Sequence, residues 1–180
     1  FSDVFIVEKQ EQDENEVKSA ISGVVAQALS AFDAMRTREG EALKSDLLQK
    51  AEGILTLVAR VEERSPITVK AYRDRLTAKM QEVLEDRQID EARIIQEAAI
   101  YADKVAVDEE TVRLRSHVDQ LESMLTEGGV IGRKLDFLMQ EMNREANTIG
   151  SKGNDVEQAR NVVNIKSELE KIREQIQNIE

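Results

Sequence analysis

An all-α fold is what this chain predicts, and three observations carry that expectation. Charged residues make up 34% of the 180 and aromatic residues 3%, the balance of long helices packed through aliphatic seams rather than of a β-sandwich or a mixed sheet. A single proline occurs in the whole length. Apolar residues recur at spacings of three and four, which gathers them on one helical face. The expected architecture is a long antiparallel helical hairpin over 13–88, preceded by a connector at 1–12 and followed by a small helical bundle over 89–180.

Residues 1–7 are apolar and extended in character, a strand or connector. A first helix opens near Asp13 or Asn15 and runs to Ser65. Its face is Val17, Ile21, Val24, Ala28, Phe32 and Met35, then Leu43, Leu47, Ala51, Ile54, Val58 and Val61. About 50 residues at roughly 1.5 Å each would make a rod on the order of 75 Å, with Gly40 and Gly53 as places to bend. Ser65-Pro66 reads as an N-cap followed by the favoured first-turn proline. The chain should therefore turn there and return antiparallel through Val69, Tyr72, Leu76, Met80 and Val83. Asp90 caps a short helix through Ala106, whose face is Ile94, Ala98, Tyr101, Ala102 and Val105. Asp108 caps the next, which Gly128-Gly129 ends. The 132–152 helix follows on the stripe Leu135, Leu138, Met142, Ala146 and Ile149, and Gly150 to Gly153 breaks the chain again. In the last helix Val162, Ile165, Leu169, Ile172, Ile176 and Ile179 step strictly by three and four, a seam fit for the bundle or for another subunit. Glu174, Gln177, Asn178 and Glu180 form a polar facet opposite it, which reads as an exposed soluble face.

Several classes of function are excluded by composition. With no cysteine there is no disulfide and no thiolate zinc site. With no run of membrane-spanning length and no secretory signal ahead of the first helix, the expectation is a cytoplasmic protein without membrane contact. Gly128, Gly129 and Gly132 lack the lysine and hydroxyl residue of a phosphate-binding loop.

The block GRKLDFLMQEMNREANTIGSK at 132–152 carries more polar chemistry than folding asks of it. Asp136, Gln140, Asn143 and Asn147 occupy one flank, Glu141 and Glu145 stand one turn apart on another, and Arg133, Lys134, Arg144 and Lys152 supply positive charge. Asparagine is a poor helix former, so two of them one turn apart point to a specific hydrogen-bonding partner. Glu141 and Glu145 can converge on one Mg or Mn ion, with Glu110, His117 and Asp136 as further ligands from packed helices; a solvated charged face is the plainer reading. His117 is the only histidine, which excludes a two-histidine acid–base pair within one chain. It shares a helical face with Glu110, Leu114 and Leu121, at the edge of the seam, and reads either as a packed imidazole or as a working acid or base.

That block, with VRLRSHVDQL at 112–121 and IKSELEKIREQIQNIE at 165–180, resembles the C-terminal region of the YicC/YloC family of bacterial endoribonucleases. The resemblance runs from about Asp13 onward and is densest from about Val112. It leaves the family's N-terminal domain unmatched, so a fragment of a longer protein is expected. What it implies is divalent-metal-dependent hydrolysis of RNA phosphodiester bonds by a ring-like homo-oligomer, hexamer or trimer. On that footing His117, Glu141, Glu145 and Asp136 are the candidate catalytic residues. Glu110, His117, Glu141 and Glu145 are the candidate ligands for Mn or Mg. Arg133, Lys134, Arg144, Asn143, Asn147, Lys152 and Arg173 are the candidate RNA contacts.

The net charge of −11 speaks against nucleic acid, but it is uneven: residues 129–152 hold four cations against three anions. Phe137 and Tyr101 are the only aromatics in the second half, so recognition is expected to be led by the RNA backbone rather than by stacking. Two other classes stay open. One is an RNA-binding adaptor that delivers transcripts to a partner ribonuclease, which turnover by the purified protein tells apart. The other is a structural protein that assembles through its last helix and binds no RNA.

Overall fold

A computed structural model describes residues 13–84, 91–177 and 179. The chain is all-α, and its described residues form five helices: α1 (Glu14–Leu84), α2 (Glu91–Val105), α3 (Asp108–Glu127), α4 (Gly132–Lys152) and α5 (Val156–Ile176). No strand occurs among the described residues. The expectations for residues 1–12, for Asp90 as a cap, for the side chain of Val83, and for Asn178 and Glu180 in the terminal facet lie outside the described residues.

The chain divides into two compact units, Phe1–Leu43 and Lys44–Glu180. In the first, the described residues are the opening of α1. Every one from 13 to 42 is exposed, including Val17, Ile21, Val24, Phe32 and Met35 of the expected seam. In the second, the same periodicity is used: Leu47, Ala51, Ile54, Val58 and Val61 of α1 are fully buried.

The hairpin expected over 13–88 does not form, because α1 runs unbroken for 71 residues with Pro66 inside it. Proline has no N–H for the carbonyl of Glu62 one turn back, and its ring crowds that carbonyl. The turn that leads into it is pinned from outside the helix. Arg115 on α3 donates through Nε and Nη2 to the Glu62 carboxylate at 3.0 and 2.7 Å, and Arg64 donates to Asp155 at 3.0 and 2.9 Å. These paired hydrogen bonds hold both carboxyl groups below, and both guanidinium groups above, their ordinary pKa. Thr68 Oγ1 also donates to the Arg64 carbonyl at 3.2 Å. The helix therefore enters its proline with tertiary support on the N-terminal side, at Glu62 and Arg64.

Within the second unit α4 packs against α3 on one side and α5 on the other. Leu114, Val118 and Leu121 of α3, Leu135, Met139, Met142, Ala146 and Ile149 of α4, and Ile165, Leu169 and Ile172 of α5 are fully buried. Each such side chain is worth about 1.5–3 kcal/mol relative to exposure. The strict seam of α5 is thus consumed inside the bundle. On α2, Tyr101 stacks on Tyr72 of α1, the ring centroids 3.7 Å apart.

The helix ends explain the register. Val107 occupies the N-cap of α3 without a side-chain bond, and Asp108 sits in the first turn with Glu109 and Glu110, where negative charge suits the helix dipole. Gly128 and Gly129 leave the helix at φ of 70° and 85°, a backbone that favours glycine. Gly150 lies inside α4 rather than in the break. A Cβ there would meet Val162 at 3.1 Å, so its missing side chain lets α5 approach. Asp155 caps α5 by accepting from the Gln158 N–H at 3.0 Å.

Candidate active site

Because α4 lies between α3 and α5, its outward face is flanked by two grooves, and the polar residues at 132–152 are sorted between them. On the α3 side is a cavity of about 350 Å³. His117 and Gln120 enter it from α3, and Arg133, Lys134, Phe137 and Glu141 from α4. The α4 residues share one face because they are spaced at i, i+1, i+4 and i+8. Met124 and Leu138 supply its apolar lining.

The imidazole is the most telling group in this cavity. His117 Nδ1 is buried and has no hydrogen-bond partner, a condition that native proteins rarely leave unanswered. Glu141 lines the same cavity and is approached by Arg144 Nη1 at 3.7 Å. Arg133 and Lys134 are exposed, with no ion pair to any described residue. His117, Glu141 and two cations without a described ion pair therefore share one open groove.

On the α5 side is a larger cavity of about 580 Å³. It brings together Gln140, Asn143, Arg144 and Asn147 of α4 with Lys166, Glu170 and Arg173 of α5. Arg144 serves both grooves, since it lines this one while its guanidinium reaches the Glu141 carboxylate. Asp136 belongs to this side: Gln140 Nε2 donates to it at 3.0 Å, and Arg173 Nε lies 4.0 Å away. It is not among the residues lining the His117 cavity.

The remaining expected residues are committed elsewhere. Lys152 Nζ donates to both oxygens of Glu110, at 2.7 and 2.9 Å, and Glu110 is 5% exposed. Glu145 is 4% exposed and faces Arg113 Nη1 at 3.7 Å. The proposed ligand set Glu110, His117, Glu141 and Glu145 is thus divided: Glu110 is paired with Lys152, and Glu145, near an Arg113 that also pairs with Glu109, does not line the cavity that holds His117 and Glu141. Among the described residues, no three acidic or histidine side chains come together as a metal site.

Sequence reasoning missed Gln120, Lys166 and Glu170, and it discounted Phe137. Signals for three of them exist: Phe137 falls four residues after Arg133 and four before Glu141, and Lys166 and Glu170 follow one flank of α5 with Arg173, at four and three.

Comparison with known proteins now bears on this geometry. Residues 61–180 match the family described as "Endoribonuclease YicC-like, C-terminal", and residues 1–45 match "Endoribonuclease YicC-like, N-terminal region". The chain belongs to the YicC-like family. It is 45% identical over 181 residues to a "Probable endoribonuclease YicC" of Clostridioides difficile (strain 630), covering 100% of this chain and 62% of that protein. It is 37% identical over 175 residues to a protein of the same name from Haemophilus influenzae (strain ATCC 51907 / DSM 11121 / KW20 / Rd), covering 97% of this chain and 60% of that one. The chain thus spans about three fifths of the length of these relatives. The YicC-like C-terminal match contains both grooves, and the N-terminal match covers almost the same residues as the Phe1–Leu43 unit. Residues 1–45 therefore represent part of the family's N-terminal region, which narrows the expectation that this region is missing. No described helix is long and apolar enough to cross a membrane.

Proposed function

We propose that this chain carries the RNA-cleaving centre of a YicC-like endoribonuclease, in the groove between α3 and α4. The observation that carries the reading is the unpartnered His117 Nδ1 in an open groove shared with Glu141, Arg133 and Lys134. Cleaving a phosphodiester requires neutralising the phosphoryl oxygens and moving protons at the attacking and leaving oxygens. Arg133 and Lys134 serve the first need through charge-assisted hydrogen bonds to phosphate. His117 and Glu141 serve the second, one giving a proton while the other takes one. The α4/α5 groove holds the neighbouring strand, with Arg144, Lys166 and Arg173 against phosphates and the amides of Asn143 and Asn147 against sugar or base edges.

A divalent cation, Mn or Mg, fits this centre only in reduced form, because Lys152 already answers Glu110 and Glu145 does not line the His117 cavity. Glu141, which lines the same cavity as His117 and lies 3.7 Å from Arg144, would be the carboxylate to hold the ion, in place of its proton-moving role and with His117 left to move the proton; magnesium ordinarily takes only one or two carboxylates alongside substrate phosphates. Held by Glu141, such an ion would supply Lewis acidity to the reaction.

The test is cleavage and binding of a labelled single-stranded RNA by the wild type, His117→Ala and Glu141→Gln. Both variants should lose cleavage by about 100-fold or more, as removing a general acid or base does, while affinity changes little. Excess chelator should mimic them, and added manganese should restore the wild type. Binding without cleavage by the wild type would make this an adaptor that presents RNA to another ribonuclease. Full activity in the His117→Ala variant would remove the α3/α4 groove from the chemistry.

A further inference from the structure

The α3/α4 cavity contains a group that proton transfer does not use. Phe137 lines it, yet the side chain is 62% exposed, in the same cavity as His117. A large aromatic so exposed on a helix surface gains only a minor part of the burial that normally justifies it. Its neighbours on the helix face are Arg133 four residues before and Lys134 three before, neither in an ion pair with a described residue. Four residues of helix rise by about 6 Å, roughly the distance from a nucleobase to its own phosphate. Across the cavity Gln120 presents an amide, which can both donate and accept along a base edge. A flat apolar ring, two cations one turn away and an amide opposite match the three parts of a nucleotide. The cations separate this occupant from an apolar peptide, which would leave them unanswered.

We propose that Phe137 is a stacking platform for the nucleobase adjoining the scissile phosphate, so that this site accepts an unpaired nucleotide and rejects a base held in a duplex. This rests on the endoribonuclease reading, since it places the base beside His117 and Glu141. It also departs from recognition led by the backbone alone. Single-stranded RNA is the substrate class implied, because only a splayed base exposes both faces to an aromatic ring.

The chain contains no tryptophan, so Phe137→Trp introduces a single indole at the proposed contact. Its fluorescence should be quenched by a short single-stranded RNA, and much less by the same RNA with abasic positions or by its duplex. Phe137→Ala should weaken the affinity for single-stranded RNA about 5- to 150-fold, the fold-change equivalent of one lost base stack. Phe137→Leu should lose nearly as much, because it keeps apolar bulk without a π-face. Circular dichroism should report folded helices throughout.

RNA binding seen by anisotropy without indole quenching, or Phe137→Leu binding like wild type, would overturn the stacking role. Quenching that follows protein concentration without RNA would assign the ring to a second copy and overturn it as well. Quenching by RNA in a protein that never cleaves would leave the stacking site standing while sinking the nuclease reading. No RNA binding by any variant would overturn both.

Discussion

Removing Lys152 separates two opposed accounts of that residue, because sequence alone places it on RNA phosphate and the structure places it on Glu110. The perturbation is Lys152→Ala. Glu110 has a side chain only 7% exposed, and the two hydrogen bonds from Lys152 Nζ, at 2.7 and 2.9 Å, are the polar contacts that answer its charge. Breaking a buried pair by deleting one partner costs about 3–5 kcal/mol, most of it from the carboxylate left behind. Lys152 is itself 31% exposed, so water can partly re-enter, and the expected loss falls to about 2 kcal/mol. For a chain of this size that lowers the midpoint of thermal unfolding by roughly 4–8 °C. Thermal and urea unfolding followed by circular dichroism measure it. Glu110→Gln/Lys152→Met should recover most of the loss, since no charge is then stranded. The affinity for single-stranded RNA should stay within about twofold of wild type, a change of roughly 0.4 kcal/mol. A Lys152→Ala variant of unchanged stability, but with weaker and less salt-sensitive RNA binding, would refute the argument and return Lys152 to the phosphate.

Three further outcomes follow from other contacts. Arg144→Ala with Arg173→Ala should lower the slope of log affinity against log salt by about 1.4 in magnitude, the counterion release of two phosphates on a single strand; an unchanged slope would empty the α4/α5 groove of RNA. Glu62 and Asp155 have folded pKa values held below their ordinary 4.5 and 3.8 by Arg115 and Arg64. The stability they add is complete above those ordinary values and is lost as pH falls through the depressed folded ones. A urea midpoint that declines below about pH 4.5, and declines less in Asp155→Asn, is expected; identical pH profiles would dismiss the pair. Pro66→Ala should stabilise the protein by about 1–3 kcal/mol by restoring the missing N–H to the Glu62 carbonyl and relieving the ring's crowding. A destabilised variant would mean that the surrounding pairs require the proline's local geometry.

What was legible in the chain and what was not divides along a physical line. Periodicity reports which face of a helix is apolar, and it placed Leu135, Met142, Ile149, Ile165 and Ile172 in the core correctly, because each is buried against an adjacent helix. It cannot report whether such a face finds a partner. Val17, Ile21 and Phe32 have the same spacing as Leu47, Ile54 and Val61, yet the first three are exposed and the last three are fully buried. At Ser65-Pro66 the local signal of a helix start was sound chemistry overruled by two ion pairs whose partners lie 53 and 91 residues away.

The site shows the same division more sharply. Glu141 and Glu145 stand one turn apart, which suggested a shared cation. Four residues on a helix advance by about 400°, which leaves the two side chains some 40° apart around the axis. That offset is enough to carry them to different neighbours: Glu141 opens on the His117 cavity, whereas Glu145 is buried toward Arg113. Lys152 was lost to Glu110 in the same way, through a contact between α3 and α4 that no spacing within α4 can announce. Gln140, Asn143 and Asn147, by contrast, share a groove as their spacing suggested; Arg144 lines it too, and Arg173 joins them because α5 packs directly on α4. Charges on one helix are therefore readable as a set only where the adjacent helix leaves them unanswered. By that criterion His117, Arg133 and Lys134 stand out, among the described residues of the α3/α4 groove, as the groups whose chemistry the fold leaves unassigned.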